Sequence, residues 1–542
     1  MGGARISRAY RTGQPIHTVE ANMAKSSLAE ARMADLFDGV RMKLEDIIAS
    51  LSADGARRLT ADGLEGLIAE DGRELLRQLL QSALTKRAQE EVRLESVAGE
   101  DGVERTHVRP GTQRSLTTTF GRVAVERLAY SARGEDARMP LDAELSLPEN
   151  SYSFKVRRRI AEFSAEMSFE KARRFSDTFG ARIPQRQTEE LAARAARDFE
   201  SFYASLPKTT TTTSDIVVLS FDGKGIAMRK EGLREATRKA AEARQPRLDK
   251  RRSKGEPAHR KRMAEVGAVY DVAPFARTPR DLVTELRDKS DKPKAPRPRA
   301  RNKWLRASVE REMLDVIIEG FREAQRRDSE KSRRWVVLVD GNEEQLAHIA
   351  YCAREMNVEV TIVLDVIHVL EYLWRAGLSF NDEASPELQD WVEERLLRVL
   401  EGHARDVAAG IRRSATKRKL TASERKNADA CARYLLKYQQ HLRYDEYLRD
   451  GLPIATGVIE GACRSVVADR MDITGARWGL KGAEAILKLR TLRMSDDFDA
   501  YWDFHVAVEH RLVHESKYPP GQAPGPKTGE IKGLRLVKGA SE

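Results

Sequence analysis

Two short apolar runs, IVVLSFDG at 216–223 and WVVLVDG at 335–341, most constrain the fold. Each places β-branched residues at successive positions, is too short for an ordinary helix and closes on aspartate-glycine. A strand that is apolar at every position is buried on both faces, so it belongs in the interior of a sheet covered by helices. A third run, TIVL at 361–364, passes straight into the helical spacing of VIHVLEYLW. With MAEVGAVYDVAPF between the first two, the predicted order is strand, strand, helix, strand, helix, strand, helix, a mixed α/β sheet.

The sheet is only part of a 542-residue chain, which is too long for one core and predicts several units. Residues 1–100 show helical spacing, as in GLIAEDGRELLRQLLQSALTKRAQEEV, and 101–150 alternate as a β-ribbon turning at Gly121, followed by an extended segment. Residues 151–207 predict three helices, Phe154 to Met167, Ser168 to Phe179 and Pro184 to Tyr203, with Ser168 as N-cap, Gly180 as C-cap and Pro184 in a first turn. The spacing suits a helix-turn-helix that presents Arg186 and Gln187 to a major groove, and equally a helical hairpin that only supports its neighbour. The sheet region is expected over 214–385, a charged helical insertion over 386–450, a last core segment over 451–515 and a disordered Pro/Gly-rich tail over 516–542.

The net charge of +11 favours polyanionic partners. Lys230 to Arg262 holds 13 basic and 5 acidic residues and reads as an exposed stretch, with Arg251, Arg252, Arg260, Lys261 and Arg262 as phosphate contacts; Lys292 to Arg306 reads the same way. No run reaches the roughly 18 apolar residues of a membrane span, and the first residues lack the apolar core of a secretory signal, so a cytosolic protein is expected. Cys352, Cys431 and Cys463 are too scattered for a zinc knuckle or disulfide framework and read as buried thiols.

Asp222 and Asp340, each at a strand exit with glycine behind it, match the hard oxygen ligands that divalent cations require, although a lone strand-end aspartate commonly just begins a turn. Asp365 and His368 offer a competing strand-end acid with an imidazole one helical turn on; a supporting or capping role is preferred for both. Glu460 lies on a helix after Thr456-Gly457, with Arg464 at i+4 and Arg470 beyond, and Gly475, Arg477 and Trp478 suit a loop against a DNA backbone or flipped base.

The segments TTTFGRVAVERLAY, PLDAELSLPENSYS, FDGKG, VVLVDGNE, LDVIHVLEYLW, GVIEGACRSVVADRMDITGARWGLKGAEAILKLR and YWDFH run in consistent order from Thr117 to His505. Together they resemble the ISKra-type transposases of bacterial insertion sequences, relatives of the Mutator-type enzymes. The resemblance implies a ribonuclease-H-like fold with a helical insertion before the last acidic helix, and an Asp-Asp-Glu set carried by Asp222, Asp340 and Glu460. It further implies two Mg²⁺ ions, replaceable by Mn²⁺, and cleavage and strand transfer on DNA. The expected partners are terminal inverted repeats and target DNA, with a homodimer or larger assembly bringing two ends together in the bacterial cytoplasm or on its nucleoid. A structure-specific nuclease or resolvase, and a non-catalytic DNA-binding descendant of a transposase, are the rival readings.

Overall fold

The computed structural model describes residues 36–208, 213–243, 260–287, 297–473 and 475–525. They form two compact units. The first comprises 1–160, 173–184 and 506–542; the second comprises 161–172 and 185–505. The three helices expected to form one DNA-binding region are therefore shared between units. The third is in fact two, Gln185–Ala195 and Phe199–Ser205.

In the first unit, strands β1 (Val97–Ala98) and β2 (Glu104–Arg105) pair in a short ladder, and β3 (His107–Thr118) and β4 (Gly121–Ser131) form the expected ribbon. Gly121 stands at the turn with φ +124°, where a side chain would be strained, and Thr118 Oγ1 closes the turn by accepting from Phe120 N at 3.2 Å. Thr60 caps the long helix Ala61–Gln89. Gln81 on that helix both donates to Ala124 O and accepts from Ala124 N, fixing the helix on the outer edge of β4. The tail begins later than expected, because Tyr518 is buried with Val97, Tyr130 and Ala143; the remainder, 526–542, lies outside the described residues.

The second unit is built on a five-stranded sheet: β5 (Ile216–Ala227), β6 (Lys261–Val272), β7 (Arg301–Ser308), β8 (Trp335–Val339) and β9 (Val360–Leu364). The spatial order is β7-β6-β5-β8-β9. β6 runs antiparallel to both its neighbours, β5 and β7, whereas β8 and β9 run parallel to β5. The apolar runs 216–219 and 335–339 are fully buried at the centre, as double-sided burial requires.

Two expectations are corrected here. RNKWLRAS at 301–308 is a strand, and Arg306, at the end of the stretch expected to be exposed, is wholly buried between Glu200 and Glu319. Likewise β6 begins at Lys261, so Arg262 is a strand residue whose guanidinium donates to the carbonyls of Val309 and Gly232. Arg260 and Lys261 remain exposed, and Arg251 and Arg252 lie outside the described residues.

The helices of 386–450 are present at Pro386–Leu400, Ala404–Lys417, Lys426–Lys437 and Tyr444–Arg449. They are not a separate body: Leu388, Val392, Leu435 and Tyr444 belong to the same apolar core as β5, β8 and β9. Among the described residues no helix is long and apolar enough to cross a membrane.

Candidate active site

The ladder of β5 and β8 ends on the pair Ser220 and Leu338, and Asp222 and Asp340 each follow two residues later. The ladder of β8 and β9 pairs Val339 with Leu364, which puts Asp365 next in the same row. Three aspartates thus follow closely on the paired ends of three adjacent strands, with Asp365 N donating to Val339 O at 2.9 Å. Parallel pairing produces this row because the register carries equivalent positions to the same end of each strand.

The three differ in environment. Asp222 is half-buried; its Oδ1 accepts from Gly223 N at 2.7 Å and its Oδ2 from the thiol of Cys463 at 3.3 Å. Asp340 is exposed, and its Oδ1 accepts from Asn342 N at 3.0 Å. Tyr434 and Tyr438 reach from the insertion to the carbonyls of Asp340 and Gly341, holding the backbone that carries the acid.

Asp365 is fully buried and N-caps the helix Val366–Gly377, accepting from Ile367 N at 3.0 Å, from His368 Nδ1 at 3.2 Å and from Thr456 Oγ1 at 2.5 Å. Burial pushes its acidity down, but those donors outweigh burial and hold the carboxyl below its ordinary pKa. The same hydrogen bond, with the charges of Asp365 and Asp340, raises the pKa of His368.

Glu460 is exposed on the short helix Gly457–Ala462, which packs against β5 and β6. Thr456 Oγ1, while donating to Asp365, also lies 3.4 Å from Glu460 Oε1, so one hydroxyl spans the buried and the exposed acid. Cys463, one turn beyond Glu460, is buried against Asp222; burial and the charges of Asp222 and Glu460 push its thiol pKa up. From Cys463 to Ala468 the backbone takes a π turn, a conformation frequent at functional sites. The carbonyls this turn displaces are held by Arg490, which donates to Val466 O at 2.8 Å and also to Ser465 O.

Sequence reading missed Glu265. It lies on β6 directly opposite Gly223, and a Cβ built on that glycine would come within 3.7 Å of its carboxylate. Burial raises its pKa, as do the charges of Glu312, Asp222 and Glu344, while Arg234 opposes them. An isolated glutamate in an alternating strand carries no signal of this kind until its partner across the ladder is known.

Among the described residues no three His, Cys, Asp or Glu side chains converge closely enough to hold a metal ion. The acid groups are engaged by protein donors: Asp222 by Cys463, Asp340 by the Asn342 N–H and Glu460 by Thr456. Three carboxylates, one half-buried and two exposed, are by their chemistry the oxygen ligands that a hard divalent cation takes.

The residues expected to contact DNA divide into two groups. Arg186, Gln187, Arg464 and Arg477 are exposed, with Arg186 ion-paired to Glu190 at 3.0 Å and Arg464 lying 3.9 Å from Asp469. Arg470 and Trp478, expected on an exposed loop, are buried instead: Arg470 Nε donates to Ser164 O, and Trp478 Nε1 donates to Met471 O. Trp478 also bridges to Met228, anchoring its loop to the end of β5. Cys352, Cys431 and Cys463 are buried and unpaired, as expected. No protein-family model matches the chain, and no curated protein does.

Proposed function

We propose that this protein is a transposase that cuts and joins DNA, with Asp222, Asp340 and Glu460 as its catalytic acids. The observation carrying the reading is that Asp222 and Asp340 each stand two residues past the last paired residues, Ser220 and Leu338, of adjacent parallel strands, with the acidic helix packed on β5. The strand order β7-β6-β5-β8-β9, antiparallel then parallel, supports a ribonuclease-H-like sheet, and the insertion before the acidic helix agrees with the resemblance in sequence. Mg²⁺, or Mn²⁺ in its place, held by the three acids would supply Lewis-acid activation of the attacking hydroxyl and stabilise the leaving oxygen.

The chain's own contribution is positional. The glycine behind each aspartate admits a close neighbour: a Cβ on Gly223 would come within 2.9 Å of Met263, and one on Gly341 within 3.4 Å of Tyr438. Asp365 is saturated by donors inside the core, which favours Asp340 over it as the second acid. Through Thr456, Asp365 instead steadies the turn that carries Glu460. Exposed Arg186, Gln187, Arg260, Lys261, Arg464 and Arg477 would contact phosphates or base edges.

The test is cleavage of DNA carrying the element's ends, with Mg²⁺ or Mn²⁺, by Asp222→Ala, Asp340→Ala, Glu460→Ala and Asp365→Ala. The first three should each lose at least about a hundredfold in rate, and Asp365→Ala should lose less. A dead Asp365→Ala beside an active Asp340→Ala would reassign the second acid. Joining of a labelled 3′ end to target DNA distinguishes a transposase from a nuclease or resolvase, which would cut without joining. A non-catalytic DNA-binding protein would bind the ends and do neither.

A further inference from the structure

Away from the row of aspartates, a cleft of about 550 Å³ opens where three helices of the second unit begin. Its walls include Phe169 and Glu170, which start Phe169–Thr178; Gln185, which starts Gln185–Ala195; and Gly479 and Gly482, at the start of Leu480–Met494. First-turn N–H groups have no partner inside their own helix and carry partial positive charge that favours an anion; the start of Phe169–Thr178 is met by Ser168, which caps it, and by Glu170 in its first turn. The helix Leu480–Met494 has neither a side-chain cap nor an acid in its first turn. A Cβ built on Gly475, Gly479 or Gly482 meets nothing within 4 Å, so the backbone there is open to a ligand.

Arg470 supplies a second, independent observation. It lines the cleft at only 2% exposure, with its guanidinium against the rings of Trp478 and Phe169 at 4.7 and 5.3 Å. Its Nη2 has no hydrogen-bond partner. Burial lowers its pKa to about 10, and the acid that acts on it, Glu166, is already paired with Arg490 and Arg493. A buried cation without a paired anion is costly, and an anion in the adjoining cleft would offset that cost. Exposed Arg229 and Arg477 add positive charge at the walls, against Glu170 and Glu189.

We propose that this cleft binds a phosphate ester of a DNA strand, held by the open start of Leu480–Met494, the buried Arg470 and the exposed Arg229 and Arg477. The proposal rests on the reading of the protein as DNA-acting and adds a phosphate site separate from the catalytic acids. The phosphate can be a strand's 5′ terminal monoester or an internal diester.

The experiment is fluorescence anisotropy of the full chain with short 3′-labelled single-stranded oligonucleotides, 5′-phosphorylated or 5′-hydroxyl, titrated without divalent metal over a range of salt. Arg477→Ala should weaken binding about tenfold and reduce the salt slope by about one. Gly482→Glu, which meets no neighbouring atom at its Cβ, should weaken binding by placing a carboxylate in the cleft, whereas Glu189→Gln should strengthen it. Circular dichroism of each variant confirms that it is folded. Stronger binding of the 5′-phosphorylated probe assigns the terminal monoester, and equal binding assigns the internal diester.

Wild-type affinity and salt slope in folded Arg477→Ala and Gly482→Glu would overturn the proposal, as would a wild-type chain that binds neither probe. If the variants respond as expected but the wild type never cuts element ends, the transposase reading falls and the phosphate site stands. If the wild type cuts and joins while both variants bind normally, only the phosphate site falls.

Discussion

At the scale of single residues, His368 and Asp365 form a pair whose protonation is coupled to folding. The pair's hydrogen bond raises the folded pKa of His368, with the nearby charge of Asp340 adding to it. A raised folded pKa means that the stabilisation is fully present below the unfolded value of about 6.5 and is lost as pH rises through the folded value. His368→Gln should therefore lower the unfolding midpoint more at pH 6 than at pH 9, measured in EDTA to keep metal out of the comparison. An equal loss at both values would show that the imidazole contributes only shape. This pair was legible in sequence because an acid at a strand exit and a base one turn later share a helix start. Glu265 and Arg306 were not legible, for opposite reasons. Glu265 gains its meaning from Gly223 across the ladder, and Arg306 sits in a run whose composition suggests an exposed tract, whereas Glu200 and Glu319 bury it.

At the scale of elements, the long apolar strands announced themselves, while β7 did not: RNKWLRAS alternates too many cations to look like a strand, and only its neighbours reveal its buried residues. The catalytic reading depends on how tightly the helix Met313–Arg327 seats on β5. Phe221, immediately before Asp222, is wedged between glycines: a Cβ on Gly320 would approach its ring to 2.8 Å, and one on Gly267 to 3.3 Å. Alanine in place of a helical glycine normally gains about 1 kcal/mol from backbone entropy. Here the ring must move, and overpacking of this kind costs about 1–3 kcal/mol. Gly320→Ala should therefore lower thermal stability and, by displacing Phe221, reduce DNA cleavage as well. A variant more stable than wild type would show that the ring yields freely and that the close seating does not position Asp222.

At the scale of the whole molecule, sequence order misleads about where units begin and end. The helices of 386–450 are highly charged in sequence, and their inner faces complete the core around β8 and β9. The first unit is closed by residues from opposite ends of the chain: Arg157 and Glu509, 352 positions apart, are each 2% exposed and joined at 2.5 and 2.6 Å by two parallel hydrogen bonds. No local pattern in sequence can report such a partner. Removing one member of a buried pair strands the other charge in a medium that cannot solvate it, so Glu509→Ala should destabilise the unit by about 3–5 kcal/mol. Replacing both, as in Arg157→Met with Glu509→Leu, removes the charges together and should recover most of that loss. Thermal unfolding followed by circular dichroism gives the size of each effect, and hydrogen exchange locates it: protection should fall first in the ribbon β3–β4 and around 506–513. If Glu509→Ala unfolds within about 0.5 kcal/mol of wild type, the pair does not close this unit, and the apolar contacts around Tyr130 and Tyr518 must hold it instead.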